Sequence, residues 1–205
     1  MESVDCIKAL KPVVGKNLLV VWGTTKTIEW LKVNGEDKMN VFTSYAMGEA
    51  SMVGLGLALA LPHRTIFVLD GDGALLMNLG CLTTLANKAP KNLIHILFDN
   101  GSYVSGGRLP TFSKATDYAT IAKAASIKFT RTAKTVTEFK TAVRDAVKKR
   151  QTAFIVAKVG ISEGFPDLGT MDALENKYRF IRYVESLEKK QILPDILKLQ
   201  RPPSR

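Results

Sequence analysis

Along this chain, short apolar runs alternate with segments whose apolar residues recur at helical spacing. Five runs have the length and composition of strands, at 17–22, 65–69, 92–98, 127–130 and 153–159, and Val41-Phe42-Thr43 adds a short one. The segments between them read as helices at 25–31, 48–61, 74–87, 118–125 and 136–149. The runs 65–69 and 92–98 are nearly continuously apolar, as strands are when helices cover both faces of their sheet. This alternation predicts an α/β fold, a doubly wound parallel sheet with helices on both faces. After Gly160 the pattern changes to a loop containing Gly164-Phe165-Pro166 and Gly169, then a polar helix around 171–190. Pro194 and the 201–205 tail end the fold. No internal repeat is visible, so the expectation is a single domain over 1–205, with its core at about 15–160 and a C-terminal loop and helical tail at 161–205.

Composition narrows the class. At 205 residues, 46% hydrophobic and 23% charged, the chain can bury one sizeable core. Its longest apolar stretch, 52–61, has ten residues and closely follows Glu49, too short to span a bilayer, so no membrane association is expected. Met1-Glu2-Ser3-Val4-Asp5 lacks the basic start and apolar centre of a secretion signal. Cys6 and Cys81 form neither a disulfide framework nor a metal spacing, and Cys81 in an apolar helix reads as packing. A cytoplasmic protein is expected. The net charge of +10 is uneven: residues 1–110 carry ten Lys or Arg against nine Asp or Glu, and residues 111–205 carry nineteen against ten. The excess reads as solvated helix faces such as Lys140, Arg144, Lys148, Lys149 and Arg150, or as attraction for an acidic partner or an anionic substrate. No basic stretch is interleaved with aromatics, which argues against nucleic acid as a partner.

The chemistry gathers behind two strands. Leu69-Asp70-Gly71-Asp72-Gly73-Ala74 directly follows the run Thr65-Ile66-Phe67-Val68-Leu69, and Asp99-Asn100-Gly101-Ser102 directly follows Leu93-Ile94-His95-Ile96-Leu97-Phe98. Strand, helix, strand returns the chain to a parallel neighbour, so Asp72 and Asn100 should emerge side by side at the carboxyl edge of the sheet, where open α/β sheets bind ligands. The glycines Gly71 and Gly73 let the backbone turn sharply and approach a ligand closely. The amides at the start of the 74–87 helix would then favour a phosphate. A carboxylate, an amide oxygen and a glycine-bounded loop suit a hard cation holding a diphosphate. An EF-hand loop beginning at Asp70 would need Gly at 75 and Glu at 81, where Leu75 and Cys81 stand, so that reading fails.

Gly71-Asp72-Gly73, a spacer of twenty-six residues and then Asn100 resembles the thiamine-diphosphate motif of the pyrophosphate-binding domain in thiamine enzymes. The family's closing Asn-Asn is Asp99-Asn100 here, which keeps the metal-ligand Asn and leaves only a secondary contact in doubt. The resemblance implies that Asp72 and Asn100 bind Mg²⁺ through side-chain oxygens and Ser102 through its backbone carbonyl. Ser44-Tyr45-Ala46-Met47-Gly48-Glu49 is similar to the family segment beside the aminopyrimidine. Met47 takes the place of the apolar residue that keeps thiamine folded, and Tyr45 the place whose carbonyl accepts from the 4′-amino group. Met47 also suits ordinary core packing, and Glu49 at a helix start suits the dipole better than catalysis. Gly54, Gly56, Ala58 and Ala60 read as close helix packing. Trp22-Gly23-Thr24-Thr25 resembles the diphosphate-contacting turn, where Thr24 and Thr25 serve as hydroxyl donors or as helix caps. Gly71, Gly73, Ala74 and Tyr103 complete the implied cofactor contacts.

The resemblance also implies an absence. Enzymes of this group activate the cofactor with a glutamate on the pyrimidine-binding domain, and a chain of 205 residues accommodates only the pyrophosphate domain. No catalytic residue is therefore expected here; the glutamate should come from a separate pyrimidine-domain, α-type subunit in a hetero-oligomer. Asp99-Asn100-Gly101-Ser102-Tyr103 followed by Ser105-Gly106-Gly107 and Pro110-Thr111 is similar to the β subunit of sulfopyruvate decarboxylase and to the C-terminal portion of phosphonopyruvate decarboxylase. The implied reaction is decarboxylation of a small anionic 2-oxo acid. Arg108 departs from that likeness; it reads either as a surface-loop residue or as a partner for a sulfonate, phosphonate or carboxylate of the substrate. His63 and His95 read as structural. Other readings are half of an acetolactate-synthase-like carboligase or of a 2-oxo acid oxidoreductase, or a non-catalytic cofactor-binding subunit. The oxidoreductases typically require iron–sulfur ligands, which two isolated cysteines do not supply.

Overall fold

The computed structural model describes residues 1–35, 40–161 and 172–193. Helix α1 (Ser3–Val14) leads into strand β1 (Leu18–Trp22), helix α2 (Gly23–Asn34) and strand β2 (Val41–Ser44). Helix α3 (Ala50–Ala60), strand β3 (Ile66–Gly71), helices α4 (Asp72–Met77) and α5 (Cys81–Lys88) and strand β4 (Leu93–Asp99) follow. A hairpin of β5 (Ser102–Tyr103) and β6 (Leu109–Pro110) precedes α6 (Tyr118–Ala124), β7 (Phe129–Ala133), α7 (Val136–Lys149), β8 (Ala153–Lys158) and α8 (Ala173–Glu188).

Six of the strands form one parallel sheet in the order β2-β1-β3-β4-β8-β7. Successive residues of each strand feed opposite faces, as the pleat requires. Leu19, Val21, Phe67, Leu69, Ile94, Ile96 and Ile155 pack with apolar residues of α1, α2 and α7. Leu18, Val20, Ile66, Val68, Leu93, Leu97 and Val156 pack with those of α3, α5, α6 and α8. Two covered faces explain why the central strands read as unbroken apolar runs. The doubly wound α/β expectation holds.

Three local expectations change. The helix expected over 74–87 is two: it begins at Asp72, stops at Met77 and restarts at Cys81. Asn78 breaks it, leaving the helical conformation (φ −143°, ψ 55°) while its side-chain amide donates to Gly48 O and to Glu49 Oε1, both at 3.2 Å. The helix expected from 48 begins at Ala50, because Gly48 sits at φ +86°. Helix α1, which Pro12 hides from a pattern reading, puts Cys6, Ile7, Leu10 and Val14 fully into the core. Gly54 carries the expected close packing, since a Cβ there would stand 2.2 Å from Val68 Cγ2, whereas Gly56 faces open space. Burial pushes the Cys6 thiol up to about 12 and the Cys81 thiol to about 11, so both are packing residues. Among the described residues no helix is long and apolar enough to cross a membrane. The expected Gly164–Gly169 loop, Pro194 and the 201–205 tail lie outside the described residues.

Helix α8 covers the edge strand β2. Asn176, at its buried face, donates through Nδ2 to Val41 O at 3.0 Å and accepts through Oδ1 from Thr43 N at 2.8 Å. One side-chain amide thus satisfies the strand's outward carbonyl and N–H, as a neighbouring strand would.

Candidate active site

Gly71 ends β3 in extended backbone (φ −111°, ψ 151°), and Asp72 opens α4 with its carboxylate only 2% exposed. Thr111 Oγ1 donates to Asp72 Oδ2 at 2.5 Å. Burial raises the Asp72 carboxyl above the usual carboxylate range and the charge of Asp99 adds to the effect, while the Thr111 bond and the nearby Asn100 amide oppose it. Among the described residues this buried carboxylate has no cation of its own, the situation that a bound metal ion relieves.

Asn100 lies just beyond the end of β4, whose register pairs Phe98 with Gly71. Its Oδ1 accepts from Ser102 N–H at 2.9 Å, which folds the loop back beside Asp72 and leaves that oxygen a second lone pair. Ser102 is buried, and its hydroxyl has no partner among the described residues; the hydroxyl of Tyr118, a side chain 1% exposed, lies beside Ser113. Burial raises the Tyr118 phenol further above its ordinary range, with the charges of Asp72 and Asp99 adding to it, so it remains protonated and able to donate. No group of three His, Cys, Asp or Glu that could hold a metal occurs among the described residues. A cation here would have one carboxylate, neutral oxygens and its own ligand's oxygens, a hard set that fits Mg²⁺. Gly73 lies directly against Tyr103.

Asp99, beside Asp72, is also buried, but it is paired. Ser113 Oγ donates to its Oδ1, and Lys158 Nζ bonds its Oδ2. Thr111, Ser113, Tyr118 and Lys158 are the site neighbours that sequence reasoning did not assign. Lys158 gave one faint signal: it is a charged residue closing an apolar strand, as Asp99 is.

On the far side of β1, the segment after β2 carries Tyr45, exposed, and Met47, half-buried. Burial, then the charge of Asp172, raises the Tyr45 phenol. Asn78 joins Gly48 to the 72–80 segment, so the two sides of the site are bonded to each other. The backbone of Gly23, Thr24 and Thr25 starts α2 at the same carboxyl edge; the side chains of Thr24 and Thr25 lie outside the described ones. Arg108 stands exposed at the hairpin turn with φ +62°, its N–H donating to Tyr103 O at 3.0 Å. Its guanidinium has no partner among the described residues. His95 is a core residue: fully buried, its Nε2 lies 3.2 Å from Asp70 Oδ2, while Asp70 Oδ1 accepts from Gly71 N–H. His63 pairs with Glu188.

Residues 27–157 match the model of the thiamine pyrophosphate enzyme, C-terminal TPP binding domain. The chain is 35% identical to the sulfopyruvate decarboxylase subunit beta of Methanocaldococcus jannaschii over 77% of its length and 83% of that protein. Against the subunit of the same name from Methanococcus maripaludis it is 31% identical over 88% and 96% of the two chains. It is 38% identical to phosphonopyruvate decarboxylase of Streptomyces hygroscopicus, matching 62% of this chain but 32% of that one. Among solved structures, the benzoylformate decarboxylase of Polynucleobacter necessarius superposes with a TM-score of 0.63 at 20% identity, covering 78% of this chain and 33% of that one. The thiamine diphosphate-dependent 4-hydroxybenzoylformate decarboxylase of Rhodococcus jostii gives 0.67 at 16% identity, over 80% and 33%. These two likenesses show the fold.

Proposed function

The chain belongs to the thiamine pyrophosphate enzymes, through the C-terminal TPP binding domain of that family, and from that premise we propose that it is the β-type subunit of a thiamine-diphosphate- and Mg²⁺-dependent decarboxylase. Its substrate would be an anionic 3-substituted pyruvate such as sulfopyruvate or phosphonopyruvate. The observation that carries the cofactor reading is Asp72, a buried carboxylate beside Asn100 without a counter-charge among the described residues. The names of the relatives support the reaction and the substrate class.

In this reading Asp72 and Asn100 hold Mg²⁺ through side-chain oxygens and Ser102 through its carbonyl. The amides of Gly71, Gly73 and Ala74, with Thr24 and Thr25, receive the diphosphate, where backbone donors and a helix start favour negative charge. Tyr45, through its carbonyl, and Met47 orient the pyrimidine side, and Tyr103 packs over Gly73. The cofactor supplies the electron sink for loss of carbon dioxide. Arg108 meets the distal anion of the substrate, in the geometry that guanidinium offers to sulfonates and phosphonates. The chain provides the pyrophosphate half as one domain; a separate pyrimidine-domain subunit brings the activating glutamate and completes a hetero-oligomer in the cytoplasm.

The test is reconstitution. With thiamine diphosphate and Mg²⁺, this chain alone should release negligible carbon dioxide from any 2-oxo acid. Adding a pyrimidine-domain subunit should give turnover of sulfopyruvate or phosphonopyruvate well above that of alkyl pyruvates. Robust turnover by this chain as the sole polypeptide would refute the half-site. Cofactor binding without turnover of any 2-oxo acid by the reconstituted pair would favour a non-catalytic subunit.

A further inference from the structure

Asp72 and Asp99 are both buried at this edge, and among the described residues Asp99 has a cation and Asp72 has none. Asp99 is 4% exposed, and both of its oxygens are occupied, one by the Ser113 hydroxyl and the other by the Lys158 ammonium. Sheet pairing itself delivers that ammonium, because Lys158 is the residue in register with Asp99 on β8. Its side chain is 40% exposed and extends from the buried acid toward solvent. It also lies near Asp117, which caps α6 by accepting from Thr120 N.

Ser113 is on the segment 109–117, which joins β6 to α6. Thr111, on the same segment, donates to Asp72, and its own N–H donates to Gly101 O at 3.0 Å. The strap is therefore tied by two hydroxyls to two acids. It carries Leu109, 64% exposed, and Phe112, 82% exposed, and it follows Arg108 directly. If Asp72 gives an oxygen to a metal ion, the Ser113–Asp99 tie still holds the strap in place.

We infer that Asp99 and Lys158 form a charge-balanced anchor for this strap, and that Asp99 is a positioning residue for the 108–112 face rather than a metal ligand. The purpose of that face rests on the proposed function; the anchor is a property of this chain's own residues. An Asn at 99 would accept the same Ser113 bond and need no ammonium. A carboxylate at 99 without Lys158 would put two uncompensated buried acids side by side, which is the costly arrangement. Lys158 should therefore be needed only while residue 99 is a carboxylate: Asp99→Asn alone should keep the strap protected, and it should make Lys158 dispensable.

The experiment is amide hydrogen exchange across 104–117 in the full chain without cofactor, for Lys158→Met, Asp99→Asn, the double variant and Ser113→Ala. Lys158→Met should speed exchange of the strap about tenfold or more, as loss of a charge-assisted tie implies. Adding Asp99→Asn should restore protection close to that of the parent chain. Ser113→Ala should loosen the strap in either background. If Lys158→Met does not fold, a protected strap in the double variant and a loosened one in Ser113→Ala still support the anchor. An unchanged strap in Lys158→Met, or a double variant no better than that single one, overturns it. No cofactor is present, so the result is independent of whether thiamine diphosphate binds.

Discussion

Gly73 lies against the ring of Tyr103 so closely that a Cβ at 73 would stand 2.3 Å from Tyr103 Cε1. The backbone at 73 is helical and tolerates a side chain; the ring is what requires glycine. Gly73→Ala should therefore cost about 1–3 kcal/mol by overpacking and displace Tyr103. Thermal unfolding reads the loss, and Tyr103→Ala in the same chain should recover most of it by making room for the methyl group. A Gly73→Ala protein that melts like its parent would show that the contact yields freely.

Asp72→Ala should abolish Mg²⁺-dependent binding of thiamine diphosphate while the far-ultraviolet circular dichroism stays unchanged. The residue sits where a strand meets a helix at the sheet edge, and its removal also relieves a buried charge beside Asp99. Isothermal titration calorimetry with cofactor and metal measures the effect. Undiminished affinity would sink the metal assignment.

Arg108→Ala should raise KM for a 2-oxo acid that carries a distal sulfonate or phosphonate and leave a simple alkyl homologue of pyruvate unaffected, since a charge-assisted contact is worth about 1.5–3 kcal/mol. The comparison needs the reconstituted pair. Equal effects on both classes would return Arg108 to the exposed hairpin turn where it stands, with no role in recognition.

Asn176→Ala should destabilise the fold by about 1–3 kcal/mol, because it strands the Val41 carbonyl and the Thr43 amide under α8. Chemical denaturation gives the magnitude. Asn176→Asp keeps one acceptor but no donor, and should recover only part of it. Full stability in the alanine variant would mean that water replaces both bonds.

The other end of α8 supplies a pH test. Arg64 donates to Glu188 and holds its carboxyl below the usual glutamate range. A depressed folded pKa gives stability that is present above the unfolded pKa and lost as pH falls through the folded one. The melting difference between the parent chain and Glu188→Gln should thus narrow on acidification. A gap that stays constant down to acid pH would contradict the assignment.

The sequence made the central architecture legible because strand burial and alternation with helices leave a strong pattern. Helix α7 emerged with the predicted bounds, and the structure adds the capping box of Thr135 and Glu138 at its start. The break at Asn78 was not legible, because it depends on a bond to Gly48, thirty positions away. Helix α1 was hidden by Pro12 in its last turn. At the candidate site, strand ends and spacing predicted that Asp72 and Asn100 lie side by side, and the structure brings them together. Thr111, Ser113 and Lys158 were not legible, since their roles come from which carboxylate each happens to face, and composition does not encode that.

The sheet order has a kinetic consequence. Its strands fall into three neighbouring pairs, β1 with β2, β3 with β4, and β7 with β8, each closed by a short connection. Pairing within a unit needs little loop-closure entropy, whereas joining β1 to β3 and β4 to β8 brings distant parts of the chain together. Asp72 and Asn100 belong to the middle unit, Tyr45 and Met47 to the first, and Lys158 to the last. On refolding, Asp72 and Asn100 should therefore come together ahead of the Asp99–Lys158 anchor, and a ligand that reaches from Asp72 to Met47 would staple a late-closing seam.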